Sequence, residues 1–538
     1  MMIEKLNTVP TRRIDHVAPR DTDNPYLEQV HAVLPRLLAM FDTEQTSPSF
    51  GLGDRYHWAW KCIDFANGTF QGAAHGLSRL LAADLLPDYL SEQSVLARID
   101  AMFKAANRIR RNNGSLEEAL PYEGSFCVTA LVAYDLLSTI ELLSDRLSDA
   151  RRQEYLHVIR PMIGFLHHAD ETHAFISNHL ATAVAALFKW ADLTGEEGDR
   201  RATQLLEQIL VEASPEGWFR EYEGADPGYQ TLAMYYLADV HRMRPNLGLR
   251  DTLEQSVQFL SHFAHPDGSF AGNYGSRNTR FFYPAGIQML ANTMPIAATL
   301  SQAMAQSIRA RRTVTLETMD APNLIPMFNA YCWAAAEYES SQSEPDTAVE
   351  LPAGDITRWQ KTFAEAGLFI ENGPEHYTII ALNKGGVCYH YPKNSEQTID
   401  SGAVYRDSRG TLYSSQAYTA NAQVDVAEQT VTVTAPLQKM HNQSITPLKF
   451  LILRLLSLTV MRWRPAGERI KQILVRYLIT GTSRSPGRNR RTIRLGPHLT
   501  IEDCCVDASE SLSPQDVGSF KAIHMASSGY WQRQDDKR

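Results

Sequence analysis

The chain is 538 residues long with a net charge of −9, 44% hydrophobic and 21% charged residues, a globular balance in a length that exceeds one hydrophobic core, so two or three domains are expected. The acidic balance argues against nucleic acid as a partner. Six cysteines, at 62, 127, 332, 388, 504 and 505, include no CxxC pair, which fits neither a disulfide framework nor a zinc site and suits a reducing compartment.

Residues 1 to 45 read as an arm and a first helix, LEQVHAVLPRLLAMF, with apolar residues at helical spacing. The arm has basic residues and no apolar stretch after them, so no secretory signal peptide is expected and a cytoplasmic protein is. Helical periods dominate from 46 to about 340. Four times a turn rich in Gly, Ser, Asn and Asp opens into an apolar run: GSFCVTALVAYDLL from Gly124, SNHLATAVAALFKWADL from Ser177, DPGYQTLAMYYLADV from Asp226 and GSRNTRFFYPAGIQML from Gly275. The period of about fifty residues accommodates two helices, the mark of stacked hairpins that cannot bury their apolar faces alone. A more divergent unit opens at Gly53, and partner helices such as DARRQEYLHVIRPMIGFLHHA and DRRATQLLEQILVEA lie between the openings. Five or six hairpins without evident capping ends suit a closed or nearly closed α/α toroid. The polar turns then gather at one end of the stack, bringing Asn178, His179, Tyr229 and Arg277 together.

A polar, Pro-containing linker is expected over 341–356. Beyond it, GLFIEN, HYTIIAL, GGVCYHY, GAVYRD, TVTVTAP, RTIRLG and HLTIED alternate or are β-branched between Gly, Pro, Asn and Asp, which predicts an antiparallel β-sheet domain over 357–538. An insertion at about 440–495 interrupts it. Its apolar part, SITPLKFLILRLLSLTVMRW at 444–463, carries Lys449 and Arg454 and is too charged for a comfortable membrane span. Two readings stay open: a segment lying in a membrane interface, and a helix or strand packed on the sheet domain. The basic stretch Met461–Arg494 is either a seat for a polyanion, whether acidic glycan or lipid headgroup, or a solvated loop.

At the turns, Ser177 or Asn178 can cap a helix, or the Asn amide and the His179 imidazole can offer a neutral donor and a titratable group to a shared cleft. EYEGADPGYQ sets Glu221, Glu223 and Asp226 ahead of Tyr229, and its Asp-Pro pair is also a good helix start. An Asn-His pair opening one toroid helix, then a turn with EG, Pro and Tyr opening the next, ahead of a β domain, resembles the heparinase II/III-like polysaccharide lyases and their alginate lyase relatives. The family turn is an EGSP-type stretch followed by Tyr-His; here Gln230 stands at the His position.

The resemblance implies β-elimination on a uronic-acid-containing glycan: Asn178, with His179 beside it, stabilises the enolate, Tyr229 acts as acid and in some members also as base, and Arg277 binds the substrate carboxylate. Asn278, Glu223 and Tyr122 are further substrate-binding candidates. The family's sheet-domain His has as its nearest counterpart NKGGVCYHYPKNSEQTIDSGAVYRDSRG, where His390 is the catalytic candidate, although no HxHxD-like arrangement is present and His390 can equally occupy one face of a strand. No cofactor is expected, and the sequence leaves a divalent metal open. Three classes remain: a lyase; a uronate C5-epimerase on the same carbanion chemistry; and a non-catalytic glycan-binding or assembly protein at the inner membrane face, with a lipid-linked oligosaccharide as partner. A glycoside hydrolase using two of Glu123, Glu221, Glu223 and Asp226 is a more distant option.

Overall fold

The computed structural model describes residues 23–60, 63–172, 174–338, 349–393, 396–420, 422–440, 446–475, 485–509, 511–522 and 529–531. The first 22 residues of the arm, positions 341–348 of the linker, positions 444–445 and positions 476–484 of the basic stretch lie outside these residues.

The amino-terminal helices are α1 (Pro25–Leu38), α2 (Arg55–Trp58), α3 (Ala73–Ala82), α4 (Glu92–Ile109), α5 (Phe126–Leu142), α6 (Asp149–His168), α7 (Ser177–Thr194) and α8 (Asp199–Val211). A hairpin follows, β1 (Arg220–Glu221) and β2 (Gly224–Ala225), then α9 (Pro227–Met243), α10 (Arg250–Ser261), α11 (Pro284–Ala291), α12 (Pro295–Arg309) and α13 (Ala321–Ala336). Helices α3, α5, α7, α9, α11 and α13 form the inner ring: each packs on the next, and α13 returns to α3. Helices α1, α4, α6, α8, α10 and α12 lie outside them, so the toroid is closed and built of six hairpins. The inner helices are apolar nearly all round because both of their faces are covered; α5 is buried from Phe126 to Ile140 with the exception of Cys127. The outer helices carry a single buried stripe, as in α8 with Ala202, Leu205, Leu206 and Ile209.

Each of the four sequence openings starts an inner helix. Ser125 caps α5 by accepting from the Val128 N–H, and Asp226 caps α9 by accepting from the Tyr229 N–H ahead of Pro227 at the first helical position. The unit opening at Gly53 diverges because its chain is broken into α2, a 3-10 turn at Gly68–Gly72 and α3.

After Leu351 the chain is antiparallel β interrupted by two helices. Strands β3 (Trp359–Phe363), β4 (Leu368–Asn372), β5 (His376–Ala381), β6 (Val387–Pro392) and β7 (Thr398–Asp400) make one sheet in that order. Strands β8 (Val404–Arg406), β9 (Leu412–Ser414), β10 (Gln423–Ala427), β11 (Thr430–Pro436) and β12 (Gln438–Lys439) precede helices α14 (Pro447–Leu458) and α15 (Arg464–Val475), which β13 (Arg488–Arg494), β14 (Thr500–Val506) and β15 (Ser513–Gln515) follow. Their sheets run β10-β11-β13-β14 and β12-β9-β8-β15. Phe369, Ile380 and Cys388 of the five-stranded sheet pack on Val431, Val433, Ala435 and Ile493 of the next, closing a β-sandwich.

Strand alternation divides the five-stranded sheet. Leu368, Ile370, Tyr377, Ile379, Val387, Tyr389 and Tyr391 join the toroid core, and three tyrosine hydroxyls fix the docking. Tyr377 Oη donates to the His262 carbonyl at 2.8 Å, Tyr389 Oη accepts from the Asn273 N–H at 3.0 Å, and Tyr391 Oη lies 2.9 Å from His265 Nδ1.

The insertion departs from one of its two sequence readings, that of a helix or strand packed on the sheet domain. It forms α14, whose described anchors are on the toroid rim rather than the sheets: Arg454 pairs with Asp64 at 2.8 Å, and Arg462 reaches the Tyr122 hydroxyl at 3.3 Å. Among the described residues no helix is long and apolar enough to cross a membrane. Within the basic stretch, Arg491 is a core residue, 1% exposed, paired with Asp400 and Asp503.

Candidate functional site

The β1–β2 hairpin is the keystone of the polar end of the toroid. On one side it is stitched to the α7 opening: the Tyr222 N–H donates to the Phe175 carbonyl at 3.0 Å, and Ser177 Oγ donates to the Arg220 carbonyl at 2.7 Å. On the other side it holds the loop before α11, where the Ser276 N–H donates to the Ala225 carbonyl at 2.8 Å and Ser276 Oγ to the Glu221 carbonyl at 2.9 Å. Three inner-helix openings are thereby drawn around one hairpin, which places the sequence candidates Asn178, His179, Glu223, Tyr229, Arg277 and Asn278 in one region.

Asn178 is locked from two atoms. Its backbone N–H donates to Glu221 Oε1 at 3.0 Å and its Nδ2 to Glu221 Oε2 at 2.9 Å. Nδ2 carries two hydrogens and Glu221 takes one. Burial pushes the Glu221 carboxyl up to about 8, against the lowering effect of the two Asn178 bonds, so Glu221 holds a proton at neutral pH. His179, partly exposed, has Nδ1 2.7 Å from Glu171 Oε2, an orientation that puts the N–H at Nδ1 and the lone pair at Nε2.

Asp226 clamps the neighbouring loop. Oδ1 accepts from the Tyr229 N–H at 3.0 Å and from the Thr279 hydroxyl, and Oδ2 accepts from the Arg277 N–H at 2.8 Å. Gly275 permits this approach, since a Cβ there would lie 2.8 Å from Asp226 Oδ2. Asp226 is therefore a structural residue, and with Glu221 engaged by Asn178 the acidic cluster does not present two free carboxylates for a hydrolase. Tyr229 is half-buried with its ring edge-on to Phe281 at 5.4 Å, and Glu223 is exposed at the hairpin tip.

Arg277 is the most telling group. It is 3% exposed, its guanidinium lies 3.6 Å from the ring centroid of Tyr222, and its buried Nε has no hydrogen-bond partner among the described residues. No ion pair to a carboxylate forms at this guanidinium among the described residues. The carboxyls of Glu221 and Glu223 feel its charge without reaching ion-pair distance, and a buried cation with no anion in direct contact is costly and is expected where an anionic ligand completes the shell.

Two residues that the sequence reading passed over complete the region. Tyr222 sits at the first loop position of the hairpin at φ 61°, a conformation for which Gly is the usual choice, and such strain in a bulky residue concentrates at ligand sites. Lys384 arrives from the β5–β6 turn of the sandwich, 2% exposed, and donates from Nζ to the carbonyls of Asn273 and Gly275 and to Asn278 Oδ1 at 2.6, 2.7 and 2.6 Å. Burial pulls its ammonium down to about 7. Lys384 thus fixes the loop that presents Arg277. Asn278, φ 59°, spends its side-chain oxygen on this contact and is a support for the loop.

His390 is not brought to this region. It shares the face of β6 that Cys388 occupies, away from the toroid, with Nδ1 2.8 Å from Thr378 Oγ1 and its ring 5.5 Å from His376. Tyr389 and Tyr391, its neighbours, carry the toroid contacts instead.

Tyr122, φ 68°, lines an adjoining cavity of about 470 Å³ together with Arg110, Arg111, Glu171, Met461 and Arg462. The guanidinium carbons of Arg111 and Arg462 lie 5.0 and 4.9 Å from its ring centroid. Glu171 joins this cavity to the Asn178–His179 opening. Among the described residues no group of three or more His, Cys, Asp or Glu side chains is placed to hold a metal ion.

No family model and no curated protein matches the chain. Among solved structures the chain is similar to a Paenibacillus xanthan lyase, with 12% identity, 77% of this chain and 46% of that one covered and a TM-score of 0.47. It is also similar to the Streptomyces coelicolor A3 chondroitin AC lyase in complex with chondroitin sulphate, with 11% identity, 79% and 67% covered and a TM-score of 0.49. A third is the cellobiose 2-epimerase of Bacillus thermoamylovorans, with 10% identity, 58% and 99% covered and a TM-score of 0.43. The chain thus spans less than half the length of the xanthan lyase.

Proposed function

We propose that the chain acts on a uronate-containing glycan by β-elimination at the cleft around Arg277. The observation that carries this reading is the buried Arg277 guanidinium, which is stacked on Tyr222 and, among the described residues, makes no ion pair with a carboxylate. A uronate carboxylate supplies the missing partner through a bidentate pair. The same carboxylate makes C5 deprotonation difficult, because charge builds on a group that is already negative, so the cation and a neutral donor must both face it. The second Nδ2 hydrogen of Asn178 is that donor, and Glu221 fixes its direction.

In the proposed step His179 Nε2 takes the C5 proton, the C5–H electron pair forms the C4–C5 double bond, and the C4–O4 bond breaks. Tyr229 protonates the departing O4. The products are a chain with a new end and a 4,5-unsaturated uronate, and proton exchange with solvent restores both groups. The resemblance of the Asn-His and EGADPGY turns to the heparinase II/III-like lyases supports the roles of Asn178 and Tyr229, whereas the base role of His179 is argued from its Nδ1 contact with Glu171. One feature favours epimerisation as a second reading: Glu221, protonated at neutral pH, is a proton reserve beside the same enolate stabiliser.

The test is incubation of the purified protein with a panel of uronic acid polymers and oligomers while following the ultraviolet band of the unsaturated product. Elimination predicts a rise that falls by about 100-fold or more in Tyr229→Phe and Asn178→Ala. Solvent deuterium entering C5 without absorbance would assign the epimerase, and neither signal on any substrate would refute both readings.

A further inference from the structure

Helix α14 is amphipathic in the wrong sense for a soluble domain. Its inward side holds Ser457, the buried residue of the helix, and Arg454, which pairs with Asp64. Its outward stripe is Leu448, Leu451, Ile452, Leu455 and Leu458, spaced at three and four residues and 42–67% exposed. Val460, Trp463 and Ile473 are exposed as well, with Trp463 at 70%. A contiguous outward apolar face of this kind marks an interaction surface.

The charge around the stripe selects its occupant. Within a chain of net charge −9, residues 446–475 hold Lys449, Arg454, Arg462, Arg464, Arg469 and Lys471 against Glu468 alone. Lys449 of α14 and Arg469 of α15 are exposed. Apolar side chains ending in a Trp and flanked by cations match the boundary between acyl chains and anionic headgroups. A groove on another protein would need only the apolar part.

We infer that the α14–α15 insertion is a docking surface for an anionic lipid bilayer, entered by the Leu448–Leu458 stripe and Trp463. The inference is independent of the chemistry assigned to Arg277. Met461 and Arg462 of the same insertion line the cavity at Tyr122, so a docked bilayer borders that cavity.

The test is flotation of the full-length protein with phosphatidylcholine vesicles, and with vesicles containing about 30% phosphatidylglycerol. The expected result is flotation that rises at least tenfold with the anionic lipid and is lost at least tenfold in Leu451→Asp/Leu455→Asp. Lys449→Glu/Arg469→Glu should abolish the preference for anionic lipid. Unchanged melting temperatures would show that the variants are folded, since the substituted side chains are exposed. Absence of flotation on either vesicle overturns the inference, as does equal flotation of the Asp variant. So does a wild-type dimer in solution that Leu451→Asp/Leu455→Asp converts to monomer, because the stripe would then be a subunit contact.

Discussion

Glu221→Gln separates the proton held by this carboxyl from its shape. In the folded chain burial holds Glu221 at about 8, against 4.5 for the free group, so folding takes up a proton between those pH values. With a raised carboxyl pKa, the stability it contributes is complete below about 4.5, declines as pH rises and is lost above about 8. At about 1.4 kcal/mol for each pH unit the window amounts to roughly 5 kcal/mol, and local relaxation around a buried charge brings the expected figure to about 2–4 kcal/mol. Glutamine is neutral throughout and keeps the geometry: its Oε1 accepts from the Asn178 N–H while a half-turn of the Asn178 amide lets its Nε2 donate to Asn178 Oδ1. Urea unfolding followed by tryptophan fluorescence should therefore give similar stabilities for the two proteins near pH 5 and a variant more stable by about 2–4 kcal/mol near pH 8.5. Parallel pH profiles would refute the assignment of a proton to Glu221. The amide turn also redirects the Asn178 donor, so activity should fall even where stability rises.

Lys384→Met leaves three buried acceptors unmatched and should cost about 3 kcal/mol or more, read as a lower melting temperature. It should also raise KM more than it lowers kcat, since the loosened loop carries Arg277. The Lys384 ammonium is held near 7 rather than 10.5, so the unfolded chain binds the extra proton and this group adds stability as pH rises from about 7 to 10.5; the Met variant should lack that rise. Asp226→Ala removes the acceptor for Tyr229, Arg277 and Thr279, and should destabilise by about 2–4 kcal/mol in thermal melts. Arg277→Lys keeps the charge and loses the planar fork, with kcat/KM expected to fall about tenfold or more in a progress-curve assay.

The toroid was legible because its repeat is local. Ser125 and Asp226 cap inner helices in turns whose chemistry can be read without a partner, and TVTVTAP at 430–436 became β11 for the same reason. The site was legible only where its residues lie in those turns. Glu221 was visible as one of three acids, but its engagement with Asn178 depends on a hairpin folding back across 43 residues. Lys384 lies 106 residues from Asn278, a pairing that no periodicity reports. In the stretch containing it, the family resemblance points to His390 instead. Strand parity decided the outcome, as Tyr389 and Tyr391 face the toroid and His390 faces the sandwich. A lone Lys ahead of two glycines, Gly385 and Gly386, both at positive φ, was the available signal.

The most direct test of the account is calorimetric binding of uronate oligosaccharides, and of the same oligosaccharides with their carboxyl groups reduced to alcohols, to the wild type and to Arg277→Met. The account predicts that at least one uronate oligosaccharide binds, that its reduced form binds at least tenfold more weakly, and that Arg277→Met binds both forms alike and weakly. Equal affinity of the wild type for acidic and reduced forms, or undiminished binding of the acidic form by Arg277→Met, would contradict it.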